Sequence, residues 1–135
     1  MIKMTLEIKR SERAVLLKSK LNCCQAVLFA FAEKLPPFDE NTLRQMGSGF
    51  GSGMGCMEAT CGALCGACMA AGMLNNTGKP TTMLSRMILN DFQTNCGATV
   101  CKDLKGISTG KVLCSCDDCV KNAVLALERA LGMED

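Results

Sequence analysis

Apolar residues recur at intervals of three and four along most of this chain, which is the periodicity of amphipathic helices rather than of strands. In the last such segment, Val120, Val124 and Leu127 would share one helical face. We therefore predict one all-α domain over residues 1–135. It should be a compact bundle of about five to six helices, with a glycine-rich loop and with residues 1–10 as a loose N-terminal arm. The segments that show the pattern are residues 11–21, 23–34, 39–46, 60–74, 81–95, 100–104 and 115–131.

Capping and helix-breaking residues indicate where these segments begin and end. Asn22 followed by Gln25 has the spacing of a capping box. Two prolines at 36 and 37 should end the second helix, because proline disfavours helical dihedrals in the residue before it.

The glycine-rich loop covers residues 47–55, where five glycines in nine residues make a regular helix costly. Its alternating glycines match neither the phosphate loop nor the dinucleotide fingerprint. We consider two roles for it: a structural one, as close approach of the backbone to a neighbour or a flexible turn, and a functional one, as a nest of N–H groups that donate to the sulfides of a cluster. The candidate cofactor-binding positions are Gly51, Gly53, Gly55 and Gly62.

Composition narrows the chemistry. The chain has eleven cysteines and no histidine. Because histidine is absent, a Ser-His triad and imidazole metal ligands are excluded. Nucleic acid binding is not expected, because the net charge is only +2, the basic residues are scattered, and Trp and Tyr are absent. Membrane insertion is not expected either, because no stretch is long and apolar enough. The first ten residues alternate charged and apolar positions, unlike a secretory signal. We therefore expect a cytoplasmic protein whose cysteines are thiols or metal thiolates.

Four of the cysteines fall at predicted helix N-termini. Unpaired backbone N–H groups and the helix dipole favour anions there, so a thiol in that position should have a lowered pKa. If the four termini converge, the thiolates would form a soft, anionic, metal-binding or redox pocket. The four, each with its expected cap, are Cys23 after Asn22, Cys61 after Thr60, Cys101 two residues after Thr99, and Cys116 after Ser115.

The other seven cysteines have two interpretations. Free cysteine often packs as a small buried hydrophobe, and this interpretation is as good as a functional one for Cys24, Cys65, Cys68 and Cys96. Cys65 and Cys68 would share a helical face with Cys61, and Cys114 and Cys119 flank Cys116 in a C-x-C-x-x-C run. The candidate additional metal ligands are Cys56, Cys65, Cys68, Cys114 and Cys119.

Short sequence blocks around the four cysteines, taken in order, resemble one known family. The blocks read NCCQAV at 22–27, GFGSGMG at 49–55, CGALCG at 61–66, CKDL at 101–104 and CDDCV at 116–120. From about residue 11 to 130 the chain is similar to the C_GCAxxG_C_C family of redox-active proteins, which is related to the C-terminal part of split-Soret cytochromes. The resemblance implies an all-helical domain with Cys23, Cys61, Cys101 and Cys116 as its core cysteines, and, through the split-Soret relatives, an iron–sulfur centre. The extra cysteines depart from the family pattern, and Cys119 stands where an aromatic residue is usual.

We therefore predict an iron–sulfur protein that acts in electron transfer or redox sensing. Four thiolates without nitrogen ligands suit iron–sulfur or zinc, and structural zinc sites usually use closely spaced cysteine pairs. The alternatives are a metal-free dithiol–disulfide oxidoreductase and a zinc or copper carrier rich in cysteine and methionine. The expected partner is another redox protein. The apolar segment 61–74 and the related domains also suggest a homodimer.

Overall fold

The chain folds into seven α-helices in the computed structural model, which describes residues 8–107 and 109–134. The only β-type pairing in these residues is an isolated antiparallel bridge between Thr60 and Val100. The predicted all-α fold is confirmed, with seven helices where we expected five to six. The helices are α1 Arg10–Leu17, α2 Cys23–Ala30, α3 Glu40–Gly47, α4 Gly62–Leu74, α5 Thr81–Cys96, α6 Cys101–Lys105 and α7 Cys116–Leu131.

Local capping explains where α2 begins and ends. The Asn22 side chain accepts from the backbone N–H of Gln25 at 2.8 Å, and the Gln25 side chain accepts from the Asn22 N–H at 3.0 Å, which confirms the predicted capping box. The α-helix ends at Ala30 instead of Lys34. Beyond Ala30 the chain continues in tighter turns, since Lys34 N–H donates to the carbonyl three residues back, that of Phe31, at 2.8 Å.

Helix α4 is the centre of the bundle, packed against α2, α5 and α7. Small residues let its neighbours approach closely: Ala63, Ala67 and Ala70 are fully buried. Much of its apolar character is therefore explained by burial inside this chain.

The N-terminal arm was predicted too long. Arg10 lies in the first turn of α1, and its Nε contacts the buried Glu128 carboxylate of α7 at 2.7 Å. Arg13 forms a second ion pair with Glu33 at 2.8 Å. These contacts fix α1 to the bundle from residue 10 onward. The rest of the predicted arm, residues 1–7, lies outside the described residues.

Candidate redox site

One cavity of about 180 Å³ collects the four cysteines that the sequence placed at helix N-termini. They come from four different helices, so the bundle brings together residues up to 93 positions apart in the chain (116 − 23). Cys61 and Cys101 are buried, whereas Cys23 and Cys116 are half-buried. The residues around the cavity are Lys18, Asn22, Cys23, Ser52, Met57, Cys61, Gly62, Cys101, Lys105 and Cys116.

Two of the four helix starts agree with the sequence prediction. Cys23 is the first residue of α2, directly after the cap Asn22. Cys116 is the first residue of α7, and the side chain of the cap Ser115 accepts from the Asp118 N–H at 3.1 Å. In both helices the capping residue places the cysteine among the unpaired N–H groups of the first turn.

The other two starts differ from the prediction, because Thr60 and Thr99 are not caps. Cys61 is itself the N-cap of α4, and Val100 is the N-cap of α6, so Cys101 is the first residue of that helix. Cys61 N–H donates to the Thr99 carbonyl at 2.8 Å, and Cys101 N–H donates to the Ala59 carbonyl at 3.0 Å. This reciprocal pairing holds Cys61 and Cys101 side by side, a contact that helical periodicity could not predict.

The glycine-rich loop forms another part of the cavity wall. Its residues 52–55 are all left-handed, with φ of 52° at Ser52, 57° at Gly53, 60° at Met54 and 82° at Gly55. Gly53 is required here, because a Cβ would lie 2.7 Å from the Cβ of Cys101. The loop therefore approaches the site closely, which is the first of its two predicted roles.

The four predicted cofactor-binding glycines do not all lie at the cavity. Gly62 lines the cavity, and Gly53 packs behind Cys101. Gly51 instead packs against the Asn22 side chain, where a Cβ would lie 3.1 Å away, and Gly55 is exposed with open space beside it. Ser52 in this loop and Met57 just after it line the cavity.

Two lysines face the four cysteines, and the sequence analysis did not identify either. Lys18 follows α1, and Lys105 ends α6. Lys105 Nζ lies 3.5 Å from the Cys119 Sγ. Burial works to lower the pKa of Lys105, but the electrostatic influence of the neighbouring cysteine side chains at 119, 116 and 61 outweighs it and raises that pKa above its usual value. The cavity is thus cationic where the thiols are.

Cys61 is the thiol that the fold prepares as a thiolate. A hydrogen bond with the Cys119 side chain lowers the pKa of Cys61 to about 6, against the opposing effect of burial, and the backbone N–H groups of Ala63 and Leu64 add to the lowering. The pKa of Cys61 is therefore lowered, as the sequence predicted, but the helix N-terminus contributes less to the lowering than the Cys119 side chain does.

The same argument is wrong for two other cysteines. Burial and the neighbouring charges of Cys61 and Cys116 raise the pKa of Cys23 to about 12, and burial raises the pKa of Cys101. A helix N-terminus cannot offset the cost of placing several like charges in one partly dehydrated cavity.

Behind the cavity, further cysteines form a second layer. Cys119 is fully buried, and its thiol has two alternative acceptors for its one proton: the Cys61 thiolate and the Cys114 carbonyl oxygen, which lies 3.8 Å from the Cys119 Sγ. Cys96 is also buried, and burial together with a hydrogen bond to the Cys114 side chain raises its pKa. Cys24 is fully buried and packs in the core, as expected for a cysteine that acts as a small hydrophobe. None of these four lines the cavity.

The remaining candidates lie elsewhere on the surface. Cys65 and Cys68 are half-buried on α4, and Cys56 is exposed in the loop. Within residues 8–107 and 109–134, no three cysteine or carboxylate side chains stand close enough together to hold a single metal ion.

The pH dependence of this site gives a testable prediction for the reduced, metal-free chain. We expect one thiolate to form with a midpoint near pH 6, seen as ultraviolet thiolate absorbance. Because the pKa of Cys61 falls from 9.0 in the unfolded chain to about 6, its contribution to stability is complete above pH 9 and is lost as the pH falls through 6.

Two variants check this assignment. Cys61→Ala should remove the titration step, and Cys119→Ala should move its midpoint to higher pH, because the hydrogen bond that lowers the Cys61 pKa most is gone. Cys68 lies on α4 outside the cavity, so Cys68→Ala should leave the midpoint of the titration unchanged. A step near pH 6 that survives Cys61→Ala would show that another thiol was responsible.

A small all-α bundle whose helix ends place four cysteines and two lysines around one cavity defines a class of compact, cysteine-rich redox domains. The family described as "Putative redox-active protein (C_GCAxxG_C_C)" matches residues 21–130, and the chain belongs to it. This confirms the resemblance found in the sequence blocks. No curated protein and no solved structure matches the chain. No helix among the described residues is long and apolar enough to cross a membrane.

Proposed function

We propose that this protein binds an iron–sulfur cluster through Cys23, Cys61, Cys101 and Cys116 and uses it for electron transfer or redox sensing. The observation that supports this most is the convergence of these four cysteines on one cavity. Four cysteine thiolates are the usual ligand set of both [2Fe–2S] and [4Fe–4S] clusters. The cluster, when bound, would supply a one-electron carrier, and the protein would set its potential.

The donor chemistry of the cavity fits such a group. Among the described residues, the side chains around the cavity offer sulfur ligands and two ammonium groups, and none of them is a carboxylate. A cluster with four thiolate ligands carries net negative charge, which Lys18 and Lys105 would balance. Because net charge and hydrogen bonds to sulfur tune the reduction potential, these lysines would favour the more reduced, more negative state.

The protonation states of the thiols are compatible with this role. Cys61 would already be a thiolate before the cluster binds, because its pKa is lowered. The raised pKa values of Cys23 and Cys101 keep those two thiols protonated in the metal-free chain. A coordinating metal deprotonates a thiol outright, so binding would release protons from Cys23 and Cys101. Cluster loading should therefore be favoured as the pH rises.

A single structural zinc ion suits the cavity less well. With zinc–sulfur bonds of about 2.3 Å, four thiolates around one tetrahedral zinc lie only about 3.8 Å apart. The described cysteines do not form such a group. In a cluster the cysteines bind different iron atoms and stand farther apart.

The test is to purify the protein without oxygen and measure iron, zinc and acid-labile sulfide together with the visible spectrum. We expect a brown protein that contains iron and sulfide in similar amounts. Zinc at one equivalent without sulfide would contradict the proposal and favour the zinc-binding alternative. A colourless protein that stays metal-free after anaerobic reconstitution with iron and sulfide would contradict it as well.

A further inference from the structure

Cys116 and Cys119 form a C-x-x-C pair in the first turn of α7. In helix geometry, residues three apart have Cα atoms about 5 Å from each other. That separation lies inside the range of about 4.4–6.8 Å that a disulfide requires. The pair can therefore close a disulfide with only small adjustment of the first helical turn.

The two thiols differ in access. Cys116 is half-buried and lines the cavity, whereas Cys119 is fully buried behind it. A reagent that enters the cavity can reach Cys116 and cannot reach Cys119. This is the arrangement of an attacking thiol and a resolving thiol: the first forms a bond with the substrate, and the second releases it.

Polar contacts hold the resolving thiol in place. Lys105 Nζ lies 3.5 Å from the Cys119 Sγ and 3.5 Å from the Cys114 carbonyl oxygen, which itself lies 3.8 Å from the Cys119 Sγ. The ammonium group stands between the cavity and the second layer of cysteines, where it can stabilise a thiolate leaving group on either side.

We infer that Cys116 and Cys119 are a redox-active dithiol that reduces low-molecular-weight disulfides in the metal-free protein. Cys116 sulfur attacks the substrate R–S–S–R, forms a mixed disulfide and releases one R–SH. Cys119 sulfur then attacks Cys116 sulfur, closes the Cys116–Cys119 disulfide and releases the second R–SH. Two electrons and the two thiol protons pass from the dithiol to the substrate, so the step balances.

This activity goes beyond the proposed cluster and does not depend on it. The same Cys116 cannot be a cluster ligand and part of a disulfide, so the two states exclude each other. Oxidation of the pair would block cluster assembly, and a bound cluster would protect the pair.

The experiment treats reduced, metal-free protein with oxidised glutathione, blocks the remaining thiols by alkylation and maps the disulfides by mass spectrometry. We expect a Cys116–Cys119 disulfide and the release of two equivalents of glutathione for each one formed. A disulfide between Cys61 and Cys119, or reaction confined to the exposed Cys56, would overturn the inference.

Variants then separate the two roles. Cys119→Ala should stop the reaction at a stable glutathione adduct on Cys116, and Cys116→Ala should lose both the adduct and the internal disulfide. Cys68→Ala is the control and should behave as the parent protein. Cys119→Ala should also keep its iron after anaerobic reconstitution, so loss of the disulfide with iron retained separates this inference from the proposed cluster. Rapid release of glutathione from Cys119→Ala would contradict it.

Discussion

Replacing Cys101 with serine is expected to remove most of the bound iron and to lower the melting temperature of the anaerobic protein. Cys101 is buried in the cavity wall, where the bridge between Thr60 and Val100 holds it beside Cys61. A cluster that binds only the folded chain adds its binding free energy to folding. At a free concentration about 1,000-fold above the dissociation constant, that contribution is about 4 kcal/mol.

The matched control is Cys68→Ser. Cys68 lies half-buried on α4, two turns beyond Cys61 and outside the cavity. Iron content and melting temperature should both stay close to those of the parent protein, and Cys56→Ser in the loop should behave in the same way. If Cys68→Ser removes the cluster while Cys101→Ser keeps it, the four helix termini are not the ligand set. The face of α4 that carries Cys61, Cys65 and Cys68 would then be the better candidate.

The second large effect is expected from Gly66→Ala, at the contact between α2 and α4. A Cβ at this position would lie 2.6 Å from the Cys24 carbonyl oxygen and 3.2 Å from the Val27 Cβ. The obstacle is backbone, which cannot move aside by a change of rotamer. Overpacking of this kind costs about 1–3 kcal/mol, and we expect about 2 kcal/mol less stability in denaturant unfolding despite alanine's higher helix propensity.

Gly72→Ala in the same helix provides the comparison. Gly72 is exposed, and a Cβ there would meet only the Thr81 methyl group at 3.9 Å, which is ordinary contact. Alanine should stabilise this position by up to about 1 kcal/mol through helix propensity. The two substitutions are chemically identical, so opposite signs would confirm the close approach of α2 to α4. Equal changes in stability at both positions would show that helix propensity alone determines the effect of the substitution.

The sequence alone determined the fold class and the identity of the four cavity cysteines. Helical periodicity and local caps such as Asn22 and Ser115 act within a few residues, so they can be recognised without knowledge of the tertiary structure. Placing a cysteine in a first helical turn is likewise a local event. For this reason the sequence blocks and the capping pattern selected the same four residues.

Only the tertiary structure decided the chemistry around these cysteines. Lys18 and Lys105 come from separate helices, and nothing in their sequence surroundings marks them as neighbours of thiols. The predicted caps at Thr60 and Thr99 were wrong, because hydrogen bonds between these two distant segments shift the start of each helix. The pKa of Cys61 falls while those of Cys23 and Cys101 rise. Burial and the charges of groups distant in the chain set these values, and both exist only once the helices have packed.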